Sequence, residues 1–198
     1  RDPSSAASDV YKRQVIYTLA GGTLLAISAN VMNQVLEVET DKLMERTSDR
    51  PIVTGELTKT NGIIYSISSG LIGFLILYFL VTPLSSFIGL AANIFYVFIY
   101  TLILKPRTNQ NIVIGGASGA APVLIGWTAT GSELETGPWV LFLLVFMWTP
   151  AHFWALSIEN KADYKNAEFP MLPIQESYKR TCISVSYTHL TLPTMDHV

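Results

Sequence analysis

Long apolar runs alternate with short polar interruptions along this chain. Runs with no charged residue in their interior occupy 15–36, 62–81, 84–104, 112–130 and 139–158. Each approaches the roughly 20 residues that cross a bilayer as a helix. Thr82-Pro83 divides the second run from the third, because proline has no N–H with which to continue a helix. A sixth run is expected to begin near Thr181. The pattern predicts an all-α fold, a polytopic transmembrane helical bundle truncated to about five spans.

The loops give the bundle an orientation. Lys42, Arg46, Arg50 and Lys59 follow the first span, Lys105 and Arg107 the third, and Lys161, Lys165, Lys179 and Arg180 the fifth. The two opposite loops carry no Lys or Arg, only Glu133 and Glu135. An excess of basic residues marks the cytoplasmic side. The alternation also checks the span count, since one missed helix scrambles it.

Composition agrees with membrane burial. Of 198 residues, 49% are apolar and 14% charged, against roughly 25% charged in soluble domains. The net charge of −2 says nothing about nucleic acid, but no basic patch or recognition motif is visible, so no nucleic-acid partner is expected. The single cysteine, Cys182, excludes an internal disulfide. Residues 1–14 are polar and lack the apolar core of a signal peptide. They are expected to be a non-native leader, and residues 182–198 the start of a truncated span followed by a non-native tail, out of character from Ser186 on. The membrane domain is expected over 15–181.

Three stretches carry candidate chemistry. Acids appear abruptly where the first apolar run ends: Asn33, Glu37 and Asp41 are spaced by four. On a helix they fall within roughly 80° of one face, about 6 Å apart along the axis. Such an array of oxygens suits a hard cation carrying a phosphate. A solvated helix end has a similar composition, but an amide at the level of Asn33 is costly in hydrocarbon. Arg46 and Arg50 also follow at once, and guanidinium groups take phosphate oxygens.

The second stretch holds His152, Glu159 and Asp163 at i, i+7 and i+11. On a continuous helix these lie within roughly 40° of one line. Two carboxylate stripes at one membrane level can clamp a polyphosphate through metal. His152 alone reads as a buried structural histidine, with a general base or a haem iron ligand as alternatives. The third stretch, Lys105-Pro-Arg107, reads as a topology signal or as a phosphate contact at the rim of the site. Gly115 and Gly119 form a small-residue pair expected to permit close helix packing, with a direct ligand role as the alternative. Pro122 and Pro150 should kink their helices unless neighbours resatisfy the freed carbonyls, and Trp139, Trp148 and Trp154 read as interfacial belt residues, with cofactor stacking as the alternative. No Walker loop, Rossmann glycine pattern or HExxH pair is present.

At these residues the chain resembles the UbiA-type intramembrane prenyltransferases, over roughly residues 15–180. The motif Asn33-x-x-x-Glu37-x-x-x-Asp41 followed by Arg46 and Arg50-Pro51 marks the superfamily. Lys105-x-Arg107-Thr-x-Gln110-Asn111 and Pro150-x-His152-Phe-Trp154-Ala-Leu, with Asp163-Tyr164, narrow it. They are most similar to the members that farnesylate haem.

That resemblance implies a bundle around a central cavity and a Mg2+-dependent transfer from farnesyl diphosphate to a vinyl group of protohaem IX. It puts Asn33, Glu37 and Asp41 in the first metal motif, and Asp163 with the His152 stripe, including Glu159, in the second. Arg46, Arg50, Lys105 and Arg107 are the implied diphosphate contacts. A bacterial inner membrane and association with haem A synthase or a terminal oxidase assembly are further expectations. An aromatic quinone precursor as acceptor, and a transport or non-catalytic role, are the competing readings. The absence of midplane ionisable residues and of an inverted repeat argues against transport.

Overall fold

The computed structural model describes residues 3–167, 169 and 170. The sixth run near Thr181, Cys182, Lys179, Arg180 and residues 182–198 lie outside the described residues. Every regular element among the described residues is helical: α1 (Pro3–Leu36), α2 (Val38–Asp41), a 3₁₀ turn (Glu45–Thr47), α3 (Pro51–Thr54), α4 (Lys59–Leu80), α5 (Pro83–Ile94), a π-helix (Phe95–Leu104), α6 (Asn111–Ala129), α7 (Thr136–Glu159) and α8 (Lys161–Asn166). Among the described residues, five stretches are long and apolar enough to cross a membrane: Val10–Leu36, Lys59–Leu80, Pro83–Leu104, Asn111–Ala129 and Thr136–Ser157. These match the five apolar runs. Residues 3–14, set apart as a leader on composition, extend the first helix.

Local chemistry sets the helix ends. Thr58 accepts the Asn61 N–H and so caps α4, while Thr82 accepts the Ser85 N–H and Pro83 opens α5. Each hydroxyl satisfies an amide that the first turn leaves unpaired. At the end of α3, Gly55 takes φ +86°, a left-handed value that a side chain disfavours. Pro122 and Pro150 lie inside helices that run on past them.

Packing in the bundle relies on small and hydroxylated residues. A Cβ on Gly73 would lie 2.7 Å from the Gly21 carbonyl oxygen, so α1 and α4 meet backbone to backbone there. Ser66 Oγ donates to the Ser28 carbonyl (2.7 Å) and Asn93 Nδ2 to the Leu25 carbonyl (2.8 Å), tying α4 and α5 to α1. The Ser85 and Thr128 hydroxyls meet at 2.8 Å between α5 and α6. Around these bonds Leu25, Leu77 and Ile125 form a buried core. Gly115 packs against the Tyr100 ring, as close helix approach requires, but Gly119 faces nothing nearer than 4.0 Å. The tight contact beside Gly115 belongs to its neighbour Gly116, whose absent Cβ leaves room for Thr149.

Trp139 and Trp148 are exposed, as belt residues would be, but Trp154 is not. It is buried in a cluster with Met44, Ile112, Ala167 and Phe169. That cluster closes the charged end of the bundle and holds the loop after α2 against α6 and α7.

Candidate active site

The first motif survives a break in its helix. Glu37 leaves helical geometry at φ −102°, ψ 14°. The Glu37 N–H still reaches the Asn33 carbonyl (2.9 Å), and the Asp41 N–H reaches the Glu37 carbonyl (2.8 Å). The four-residue register is therefore kept across the join of α1 and α2, and the three side chains remain a ladder. All three are buried: Asn33 is 4% exposed, Glu37 8% and Asp41 1%.

Each rung has a partner from another element. Asn33 Nδ2 donates to Thr101 Oγ1 (3.2 Å). Lys105 Nζ donates to Glu37 Oε2 (2.6 Å), and Arg50 donates to Asp41 Oδ2 (2.6 Å). Thr101, on the π-helix, and Lys105, which caps its C-terminal end, are themselves four apart, so they form a second ladder facing the first. The wider winding of that helix is visible where the Lys105 N–H bonds to Tyr100 and the Thr101 hydroxyl to the Tyr96 carbonyl, five residues back in both cases. Such segments recur at functional sites. Lys105 is held further by the ring of Phe169, 4.7 Å below its ammonium, and by Asn111, whose amide donates to the Lys105 carbonyl.

Composition could not single out Thr101 or Asn111. A threonine in an apolar run looks like filler, and Asn111 looks like a loop residue. The available signal was the spacing of Thr101 and Lys105, which repeats that of Asn33 and Glu37.

Buried acids paired with bases are a costly arrangement that removal of either partner makes worse. One further atom points to a ligand. Asp41 Oδ1 is buried and has no hydrogen-bond partner among the described residues. An unpartnered carboxylate oxygen in an all-oxygen donor set fits a hard divalent cation. Among the described residues no three His, Cys, Asp or Glu side chains converge on one metal position.

The second stripe is assembled differently from its expectation. α7 ends at Glu159 and Asn160 breaks the helix (φ −96°, ψ 24°) before α8 begins. The i, i+7, i+11 line therefore does not run along one helix. His152 is exposed and stacks on Trp148 at 4.5 Å, so it is not the buried histidine expected. Asp163 turns to the first loop, where its two oxygens accept the backbone N–H groups of Glu45 (3.1 Å) and Arg46 (3.2 Å). The Glu159 side chain lies outside the described residues. Arg46 and Arg107 are exposed at the same end.

One turn further into the bundle from Asn33 lies an apolar cavity of about 270 Å³ between α1, α5, the π-helix and α6. Ala29, Asn93, Tyr96, Gly119 and Pro122 are among its walls. The geometry thus joins a charged, oxygen-rich head to an apolar hollow at membrane depth.

Comparison with known proteins agrees with this arrangement. The model of the UbiA prenyltransferase family matches residues 4–195. The chain is 48% identical over 158 residues to a protoheme IX farnesyltransferase of Paenarthrobacter aurescens, covering 80% of this chain and 49% of the relative. It is 44% identical over 162 residues to that of Nitrosococcus oceani, covering 82% and 54%. The chain thus spans about half the length of these curated relatives. A solved UbiA homologue from Archaeoglobus fulgidus, bound to GPP and Mg2+, superposes with a TM-score of 0.71 at 17% identity, over 93% of this chain and 69% of that one. The chain belongs to the UbiA prenyltransferase family.

Proposed function

We propose that this chain is part of an enzyme that transfers a farnesyl group from farnesyl diphosphate to a vinyl group of protohaem IX, releasing diphosphate and yielding haem O once water has added. The observation that carries the reading is the buried Asn33, Glu37, Asp41 ladder, paired with Lys105 and Arg50 one turn from an apolar cavity. The haem-farnesylating relatives support the acceptor. The GPP and Mg2+ bound by the archaeal homologue support the class of donor and metal.

Glu37 and Asp41 are the residues to hold Mg2+, with Asn33 beside them. When bound, the ion supplies neutralisation of the charge on the departing diphosphate. Arg50 and Lys105 take phosphate oxygens, and Arg46 and Arg107 extend that contact at the rim. Asp163 is a positioning residue: its carboxylate fixes the turn that carries Arg46. His152, stacked on Trp148, stands apart from this ladder. The cavity holds part of the isoprenoid tail and keeps bulk water from the allylic carbon as its bond to oxygen weakens.

The basic loops support a cytoplasmic setting for this end, with the spans in a bacterial inner membrane. Association with haem A synthase or an oxidase assembly follows if haem O is the product. Membranes containing the full-length protein, supplied with haem b, farnesyl diphosphate and Mg2+, are expected to form haem O, read by chromatography and mass. Prenylation of a phenolic acid with no haem O would move the acceptor to the aromatic class.

A further inference from the structure

We infer that Lys105 and Arg50 are resident counter-ions that keep Mg2+ out of the site until a diphosphate arrives to take them over. The inference rests on the diphosphate site proposed above. Among the described residues, the inner part of that site holds two acids, Glu37 and Asp41, and two bases, Lys105 and Arg50, whose charges cancel, while Arg46 and Arg107 stay exposed at the rim. Asp41 and Glu37 are 1% and 8% exposed, and the Lys105 side chain is 12% exposed. Each acid is 2.6 Å from its base. Poorly hydrated charges interact strongly, and an unbalanced one is costly.

The consequences follow from charge alone. Mg2+ added by itself must either displace the two bases, of which Lys105 has little water to turn to while Arg50 is 24% exposed, or add positive charge to a neutral, largely buried cluster. Diphosphate by itself meets bases already committed to carboxylates. When the two enter together, every group keeps a partner: the acids turn to the metal and the bases to phosphate oxygens. The unpartnered Oδ1 of Asp41 marks the side from which the exchange begins. Lys105 can make it without losing its seat, because Phe169 holds the ammonium through its ring face and not through the carboxylate.

This exchange has a signature that neither a plain phosphate ligand nor a structural lysine shares. Removing the base frees Glu37 for the metal, so affinity for Mg2+ alone should rise while affinity for the metal–diphosphate complex falls. The test is calorimetric titration of the purified full-length protein in detergent, first with Mg2+ alone and then with preformed magnesium inorganic diphosphate. Lys105→Gln is expected to bind Mg2+ alone at least about fivefold tighter and the complex at least about fivefold more weakly, the lower end of usual coupling between sites. Arg50→Gln is expected to move both affinities in the same directions, and it decides the matter if Lys105→Gln does not fold. Lys105→Arg, which keeps the cation, should leave Mg2+ binding near the wild-type value.

Unchanged or weaker binding of Mg2+ alone in a folded Gln variant overturns the exchange while leaving the diphosphate site standing. So does a wild-type protein that binds Mg2+ alone as tightly as the complex. A wild-type protein that does not bind the complex at all removes the site itself.

Discussion

Glu37 and Asp41 are enclosed by helices and each is met by a base, whereas Asp163, at the same end of the bundle, is turned to backbone amides. Both regions read as acid-bearing helix ends in sequence. The difference lies in what surrounds the carboxylates. The π-helix and α3 bring Lys105 and Arg50 to the first pair, and in the proposed exchange these charges are handed to a ligand. Asp163 meets two peptide N–H groups at the start of a 3₁₀ turn, partners that cannot leave without unmaking the turn. Acids of equal charge can therefore serve as exchangeable ligands or as fixed clips, and the chemistry of the partner decides which.

The comparison breaks most visibly at Asp41. Asp41→Asn keeps the shape but removes the charge, and it leaves Arg50, 24% exposed, free to reach water. Turnover by the full-length enzyme is expected to fall at least about a hundredfold, the scale of losing one charge-stabilising group in an active site, with the protein still folded by circular dichroism. Full activity would remove Asp41 from the chemistry.

Asp163→Ala should behave in the opposite sense. It strips two backbone N–H groups of their acceptor, so a loss of about 1–3 kcal/mol is expected, read by thermal unfolding in detergent. Affinity for Mg2+ alone should stay close to wild type. A selective loss of Mg2+ binding, with stability kept, would return Asp163 to the metal.

Between these lies Thr101→Val, which keeps the shape and removes the hydroxyl between Asn33 and the Tyr96 carbonyl. Hydrogen bonds between membrane helices average about 0.6 kcal/mol, with a maximum near 1.7. A loss of about that size in unfolding free energy is expected, with a rise in KM for the diphosphate as Asn33 loosens. A change in kcat with KM unmoved would argue against Thr101 as a support for the ladder.

How much of this was legible follows from what each signal depends on. The spans were readable because twenty-residue hydropathy is a bulk property, and the first motif because its four-residue spacing is kept by backbone bonds even where Glu37 departs from helix. The His152–Asp163 line failed because it assumed one continuous helix, and the polar run around Asn160 did not announce the break. Trp154 was taken for a belt residue because an indole at a span end fits an interface and a core equally well. Only the return of Met44 and Phe169 over it decides. Lys105 was ambiguous for a similar reason. A lysine in a short loop sets topology wherever it points, and only the facing helix shows that it points at Glu37.

The finest contrast is within a single loop. Glu39 lies two residues beyond Glu37 but is exposed, with Lys42 at 2.8 Å and Lys59 at 3.6 Å. The hydrogen bond from Lys42, then its charge, hold the Glu39 carboxyl below its ordinary value of 4.5, with Lys59 adding to the effect. A carboxyl depressed by folding contributes stability above its unfolded value, and that contribution is lost as the pH falls through the folded one. Water and salt screen such a pair, and its net worth is close to nothing. Glu39→Gln is therefore expected to leave activity and the unfolding temperature at neutral pH unchanged. Its one trace should be a slight flattening of the acid limb below about pH 4.5, fading as salt is raised. Glu37→Gln, two residues away, leaves Lys105 buried beside a neutral amide and should lose both stability and turnover. Equal losses in the two variants would mean that burial is not what separates a ligand from a surface charge in this loop.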